Sequence, residues 1–241
     1  MLLTFGNSAK IYCLNWLDDY LKAKNDPVRI LDLVCGEALN FVGLLGKYSR
    51  LVSYIGVEPD KHACQLAREN LRGLPATIIE NPAYKLHSKL EGKFDLVVSF
   101  SALEHVYHRL AFLQTAKEYL ASDGYFLINY DSGHFHASRG KLKNIIGPLL
   151  APFGLEKYYQ SLVRESEFQR LIDFIGFGVV DQKFFNTQLK GVAKVIPPSE
   201  REAFNQRWLE YELWLNSLGI KYTDELGAIF ETRNFILRHK K

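Results

Sequence analysis

Apolar residues fall along this chain in two alternating patterns. Short, nearly continuous apolar runs occupy Val28–Val34, Ser53–Val57, Ala76–Ile79, Phe94–Phe100, Tyr125–Tyr130 and Phe177–Asn186. Runs of that length predict strands, and the first has the composition of one buried on both faces of a parallel sheet. Helical spacing fills the intervals. Ile11, Leu14, Leu17 and Leu21 precede a stop at Asn25-Asp26-Pro27, and Ala63, Leu66, Ala67 and Leu71 precede Gly73-Leu74-Pro75. Leu110, Leu113, Ala116 and Leu120 form a third stripe, ended by Gly124, and Phe168, Leu171, Ile172 and Ile175 a fourth, ended by Gly176. Two helix starts have capping-box spacing, Ser166 with Gln169 and Ser199 with Glu202. Behind Pro197-Pro198, the series Phe204, Trp208, Tyr211, Leu215 and Leu218 predicts an apolar face docked on the domain or on a second subunit. Phe230–His239 reads as a last strand. Strands alternating with helices predict an α/β, doubly wound sheet.

The stretch VRILDLVCGEALNFVGLLGKY, residues 28–48, organises the rest. A buried strand runs into Cys35-Gly36-Glu37, and a helix follows with Leu39, Val42 and Leu45. Such a turn aims helix N–H groups past the strand's carboxyl end, where they favour an anionic or polar ligand group. Valine is β-branched and avoids positive φ, so the sharp bend is assigned to Gly36 alone. The second strand ends at Glu58, followed by Pro59-Asp60. An acid at that tip accepts hydrogen bonds from two ribose hydroxyls and repels a 2′-phosphate. A nucleoside-containing cofactor is indicated. The dinucleotide fingerprint GxGxxG is absent, since Val34, Gly36 and Ala38 stand at the available positions, which ranks an NAD-dependent oxidoreductase last.

These residues resemble the class I S-adenosylmethionine-dependent methyltransferases, in their small-molecule (type 11/12-like) branch. ILDLVCGEA is similar to the family's first turn through Asp32, Cys35 and Gly36, and Glu58 matches its ribose-binding acid. Phe94 to Val106, FDLVVSFSALEHV, resembles the fourth-strand motif, and Ser122-Asp123-Gly124 the turn into the fifth strand. The resemblance covers roughly residues 28–130, and four motifs recur in order. It implies a Rossmann-like seven-stranded sheet, mostly parallel with the last strand antiparallel, in one methyltransferase domain over residues 1–241. Its parts would be a helical cover (1–27), the cofactor-binding core (28–130), a cap insertion (131–163), a helix and sixth strand (164–186), a helical insertion (187–226) and the last strand (227–241). The implied cofactor is S-adenosyl-L-methionine. Its implied contacts are Asp32, Val34, Cys35, Gly36, Glu58, Pro59, Asp60, Asn81, Phe100, Ser101 and Glu104. In this family a leading helix often covers the site, so Tyr12 and Trp16 either face the pocket or pack as core.

Composition narrows the setting. Hydrophobic residues make up 47% and charged residues 24%, ordinary values for a globular protein, and a net charge of +3 does not by itself argue for nucleic acid. The three cysteines, Cys13, Cys35 and Cys64, are spaced for neither a disulfide framework nor zinc, which suits a reducing interior. MLLTFGNSAK lacks the pattern of a signal peptide, and no apolar run reaches the roughly 20 residues of a membrane span. The expectation is a cytoplasmic protein, monomer or homodimer, acting on a small-molecule methyl acceptor, with no membrane or nucleic-acid partner and no metal.

Methyl transfer needs alignment of the nucleophile, and a general base where the acceptor is a hydroxyl or ammonium. His134, just beyond the fifth strand, has the better position, and His105 in the LEHV turn is the second candidate. The segment 131–163 also carries His136, Arg139, Lys141, Lys143 and Lys157 beside Phe135, Phe153, Tyr158 and Tyr159. It is either a cap suited to an anionic or aromatic substrate or a solvated basic face. The alternative to an O- or N-methylating enzyme is a non-catalytic cofactor-binding or scaffold protein, motivated by Val34 and Ala38.

Overall fold

The computed structural model describes residues 7–86, 90–131, 141–153, 156, 159–186, 192, 195–219 and 229–240. Among them, seven strands form one sheet: β1 (Val28–Leu33), β2 (Val52–Glu58), β3 (Ala76–Glu80), β4 (Phe94–Phe100), β5 (Leu120–Asp131), β6 (Phe177–Phe185) and β7 (Thr232–His239). Their order is β3-β2-β1-β4-β5-β7-β6. β1 to β5 run parallel, and β7 lies antiparallel between β5 and β6. The doubly wound, seven-stranded sheet with an antiparallel last strand is therefore as expected. Strand order reverses between β1 and β4, and the crevice beyond the carboxyl ends there is the ligand site of such sheets.

Period-two alternation divides the sheet into two buried faces. On one, Ile30, Leu96, Val98, Leu127 and Ile236 meet α1 (Ser8–Lys22), α2 (Val42–Lys47) and α3 (Lys61–Asn70). On the other, Leu31, Val97, Phe126, Ile128 and Phe235 meet α4 (Arg109–Tyr119) and α6 (Glu165–Ile175), with α5 (Lys141–Leu150) falling between those two helices in the chain. A further helix, α7 (Arg201–Ser217), packs on α1 and β6. Asn7 caps α1 by accepting the Lys10 N–H at 3.1 Å. Of the two readings of α1, packing holds: Trp16 stacks on Tyr20 at 5.4 Å and meets the edge of Tyr125, while Tyr12 packs on Phe185 and donates to Asp181. No helix among the described residues is long and apolar enough to cross a membrane.

Three local expectations are corrected. The fifth strand starts at Leu120 rather than Tyr125: Phe94 pairs with Leu120 and Leu96 with Tyr125, so the intervening residues bulge. Gly124 fits this bulge because an added Cβ would lie 2.7 Å from the Asp95 carbonyl oxygen. Neither capping box forms. α6 begins at Glu165, whose carboxylate accepts from Gln182 Nε2 at 2.9 Å and pairs with Arg233, and Ser199 sits in a 3₁₀ turn ahead of α7. The apolar seam of α7 is also rotated. Leu209 and Glu212 face inward, whereas Tyr211 and Leu218 are half-exposed. Hydrogen bonding decides the rotation: Asn216 takes the Phe184 N–H and returns a bond to its carbonyl, both at 2.9 Å, and Glu212 Oε1 accepts the Asn186 N–H at 2.6 Å. These bonds cover the open edge of β6, which would otherwise offer unpaired backbone groups.

Two predictions test this frame. Gly124→Ala should lower unfolding free energy by about 1–3 kcal/mol, the cost of overpacking against rigid backbone, read from urea denaturation. Glu212 is fully buried, and burial holds its carboxyl at about 7 against an ordinary 4.5, opposed by the Asn186 N–H, Ser8 and Trp208. A raised carboxyl keeps its proton in the fold where the unfolded chain loses it, so stability falls as pH rises from 4.5 to about 7. Glu212→Gln, which retains an acceptor, should gain on wild type across that window by up to about 3 kcal/mol. Parallel melting curves between pH 5 and 8 would contradict it.

Candidate functional site

The loop after β1 carries the sharpest local feature. Val34, Gly36 and Ala38 adopt φ of +64°, +56° and +55°. The assignment of the bend to Gly36 alone is thus corrected. A left-handed conformation costs a non-glycine residue about 1–2 kcal/mol, offset here by fixed hydrogen bonds. The N–H groups of Val34 and Cys35 both donate to the Val57 carbonyl, at 2.8 and 3.0 Å, and the Ala38 N–H to that of Cys35 at 3.0 Å. Glu58, at the tip of β2, completes the clamp: Oε2 accepts the Gly36 N–H at 2.9 Å and Oε1 the Asp60 N–H at 3.0 Å. Burial raises the Glu58 carboxyl and the two N–H groups oppose that rise. Asp60 in turn caps α3 through the N–H groups of His62 and Ala63.

Behind the loop, Asp32 is buried and accepts from the Tyr54 hydroxyl at 2.7 Å. Burial pushes its carboxyl up to about 7, with Tyr54 opposing and Glu58 adding to the shift. Phe100 stacks on Phe41 at 5.9 Å within the same core. Beyond β4 the chain turns at Ser101, φ +54°, whose N–H donates to the Asn129 side-chain oxygen at 2.8 Å and to its carbonyl at 3.1 Å. The turn Leu103–His105 follows. Its Glu104 is 1% exposed, with Oε2 unpartnered, and burial together with Asp131 holds the carboxyl up at about 8. Asn129 Nδ2 and Asn234 Oδ1 are likewise buried without partners. A buried polar atom left unsatisfied costs about 1–3 kcal/mol, so this end of the sheet is built to receive hydrogen-bonding groups.

A cavity of about 430 Å³ opens between these turns, within the range of small-molecule sites. Val34, Glu58, Pro59 and Asp60 form one wall, and Ser101, Ala102, His105 and Val106 the other. Of the residues expected at the site, Val34, Glu58, Pro59, Asp60, Ser101 and His105 therefore come together. Asp32, Cys35, Gly36, Asn81, Phe100 and Glu104 stand off the lining. Gly36 acts through its N–H on Glu58, and the Asn81 amide turns to the Pro82 carbonyl at 2.7 Å. His134 and His136, with Phe135, Arg139, Lys157 and Tyr158 of the same segment, lie outside the described residues. The sequence reading missed Tyr84 and Glu156, which also line the cavity. Tyr84 packs on His108 at 4.8 Å, and Glu156 accepts the N–H groups of Tyr107 and His108 at 3.2 and 3.4 Å. The signal for Glu156 was an acid in an otherwise basic stretch. Nothing local singles out Tyr84.

The sequence profile of the family described as a methyltransferase domain matches residues 9–182. No curated protein matches the chain. Among solved structures, the plantazolicin methyltransferase BamL, in complex with a triazolic desmethylPZN analog and SAH, superposes with a TM-score of 0.59 at 16% identity, over 98% of this chain and 86% of that one. The YcgJ protein from Bacillus subtilis gives 0.59 at 15% identity, over 96% and 99%. An S-adenosylmethionine-dependent methyltransferase from Clostridium acetobutylicum gives 0.59 at 10% identity, over 97% and 92%. At these identities the likeness speaks for the fold, and the profile match for the family. The chain belongs to the methyltransferase-domain family and is a class I S-adenosylmethionine-dependent methyltransferase.

Proposed function

We propose that this enzyme methylates a nitrogen or oxygen of a small-molecule acceptor held in the crevice beyond β1 and β4. The observation that carries the reading is the clamped Glu58 carboxylate on the cavity wall. Each oxygen spends one lone pair on a backbone N–H, and a carboxylate has about four acceptor sites, so two remain for ribose hydroxyls. The cofactor's adenine would be held by Pro59, Asp60 and the Pro82–Tyr84 wall, and its methionine end by the loop after β1 and Ser101. S-adenosylmethionine supplies a methyl on a positively charged sulfur, which an aligned nucleophile displaces in line. Alignment of bound groups contributes up to roughly 7–11 kcal/mol.

His105 is the proposed proton acceptor within the cavity lining, and His134, three positions after Asp131 in the sequence, the second candidate. A positioned base adds about 10²–10⁴-fold. The left-handed Val34 and Ala38 hold the bent loop without glycine, which supports a working cofactor site over a binder without turnover. Glu58, Asp60 and Glu156 on the lining disfavour an anionic acceptor.

Titration calorimetry with S-adenosylmethionine and its demethylated product should give micromolar binding. Glu58→Gln, which keeps the side chain's shape but not its full acceptor capacity, should weaken both by tenfold or more, about 1.5–3 kcal/mol. Absence of binding to either compound would overturn the reading. His105→Ala should slow methyl transfer at least 100-fold with cofactor affinity preserved. A change within threefold would remove it as the base.

A further inference from the structure

Glu156 reaches the cavity from a part of the chain remote from the loops after β1 and β2. Arg109, the buried first residue of α4, ties that segment to the turn after β4. Its guanidinium donates to the carbonyls of Ser161 and Leu162 at 3.1 and 3.3 Å and to the Ser161 hydroxyl at 2.6 Å. Its Nε donates to the Leu103 carbonyl at 3.4 Å, and the Ser161 N–H to the Glu104 carbonyl at 2.9 Å. Closer to Glu156, the Tyr159 N–H donates to the Glu156 carbonyl at 2.8 Å. The backbone of Glu156 is thus held by the strap that Arg109 pins, and its side chain by the N–H groups of Tyr107 and His108.

Both of those N–H groups go to one oxygen, Oε1, at 3.2 and 3.4 Å. Among the described residues no hydrogen bond reaches Oε2. A carboxylate has about four acceptor sites, so half of this one is unused on a cavity wall. Burial raises the Glu156 carboxyl, and the two N–H groups together with the charges of His108 and Lys85 oppose that rise. Glu156 adjoins the wall to which the adenine is assigned above: the Tyr84 ring packs at 4.8 Å on His108, whose N–H is one of the two that Oε1 accepts. The other polar side chains at that wall are engaged elsewhere. Asn81 Nδ2 donates to the Pro82 carbonyl at 2.7 Å, and Asp60 Oδ1 takes the N–H groups of His62 and Ala63 at 2.9 and 3.0 Å.

We propose that Glu156 Oε2 accepts a hydrogen bond from the 6-amino group of the cofactor's adenine, so that the segment after β5, rather than the tip of β3, reads the base. The inference rests on the methyl-transfer reading above and on its cofactor placement. Adenine's amino group is a donor, whereas an oxo group at the same carbon is an acceptor. A carboxylate oxygen pairs with the first and repels the second, which makes Glu156 a specificity residue for the base.

The test is calorimetry with S-adenosylhomocysteine and S-inosylhomocysteine, which differ only in that amino group and its oxo replacement. Wild type is expected to bind the adenosyl compound at least tenfold more tightly. Glu156→Gln keeps an oxygen for the Tyr107 and His108 N–H groups and turns an amide N–H toward the base. It should weaken the adenosyl compound, tighten the inosyl one and bring their ratio below threefold. Glu156→Ala should bring the ratio below threefold without tightening the inosyl compound. A merely structural role for Glu156 predicts a parallel loss of both affinities instead. That parallel loss, an unchanged ratio in both variants, or equal binding of the two compounds by wild type overturns the inference alone. Binding of neither compound by wild type overturns the methyl-transfer reading, and this inference with it.

Discussion

A buried carboxylate gripped by two backbone N–H groups ties the loop after β1 to the start of α3. Glu58 does this with one oxygen on Gly36 and the other on Asp60. Its two bonds close the end of a loop that runs through left-handed backbone at three places. They also set Asp60 where it caps α3. Cavity wall, strained turn and helix start are therefore one unit with a single charged group at its centre. The strain at Val34 and Ala38 is tolerated because the N–H groups of Val34, Cys35, Gly36 and Ala38 each have a fixed acceptor, so the loop gains little by relaxing. The same arrangement leaves the cavity preformed, and a ligand entering it orders few additional groups.

The opposite side of the site is built differently. There, Ser101 repeats the left-handed turn without glycine and hangs from Asn129 rather than from a carboxylate. Polar groups on this side are enclosed by α1 and by β7, both remote in sequence from β4. α7 then seals the edge of β6 through Asn216 and Glu212 instead of through its longest aromatic stripe. In both places directional bonds override apolar area, because an unpaired backbone group at a sheet edge is more costly than a partly exposed tyrosine.

Most of the fold was legible from short apolar runs bounded by turn residues, since a strand buried on both faces leaves little else in its sequence. Glu58 was legible for the same reason: an acid directly after such a run marks a strand tip. What failed was short-range. Val34 was denied positive φ on the intrinsic preference of valine, but the Val57 carbonyl, remote in sequence, holds it there. The boxes at Ser166 and Ser199 were sound as local patterns, yet the bonds of Glu165 and the 3₁₀ turn at Pro198–Glu200 shifted both helix starts. Tyr84 and Glu156 reach the cavity through tertiary placement that no spacing encodes. Glu104 was expected at the cofactor from its motif, and its burial against Asp131 depends on β5 and could not be read from the motif.

The insertion of β7 between β5 and β6 has a consequence for assembly. β6 finds its only described strand partner in β7, which follows it by more than forty residues in the chain. During vectorial synthesis the parallel strands β1 to β5 and their helices emerge early enough to pair with one another. The α6–β6 unit does not have this option, and it waits until residues 232–239 leave the ribosome. Asn234 comes beside Asn129 only when β7 is in place, so the support of the Ser101 turn depends on a strand about a hundred residues further along the chain.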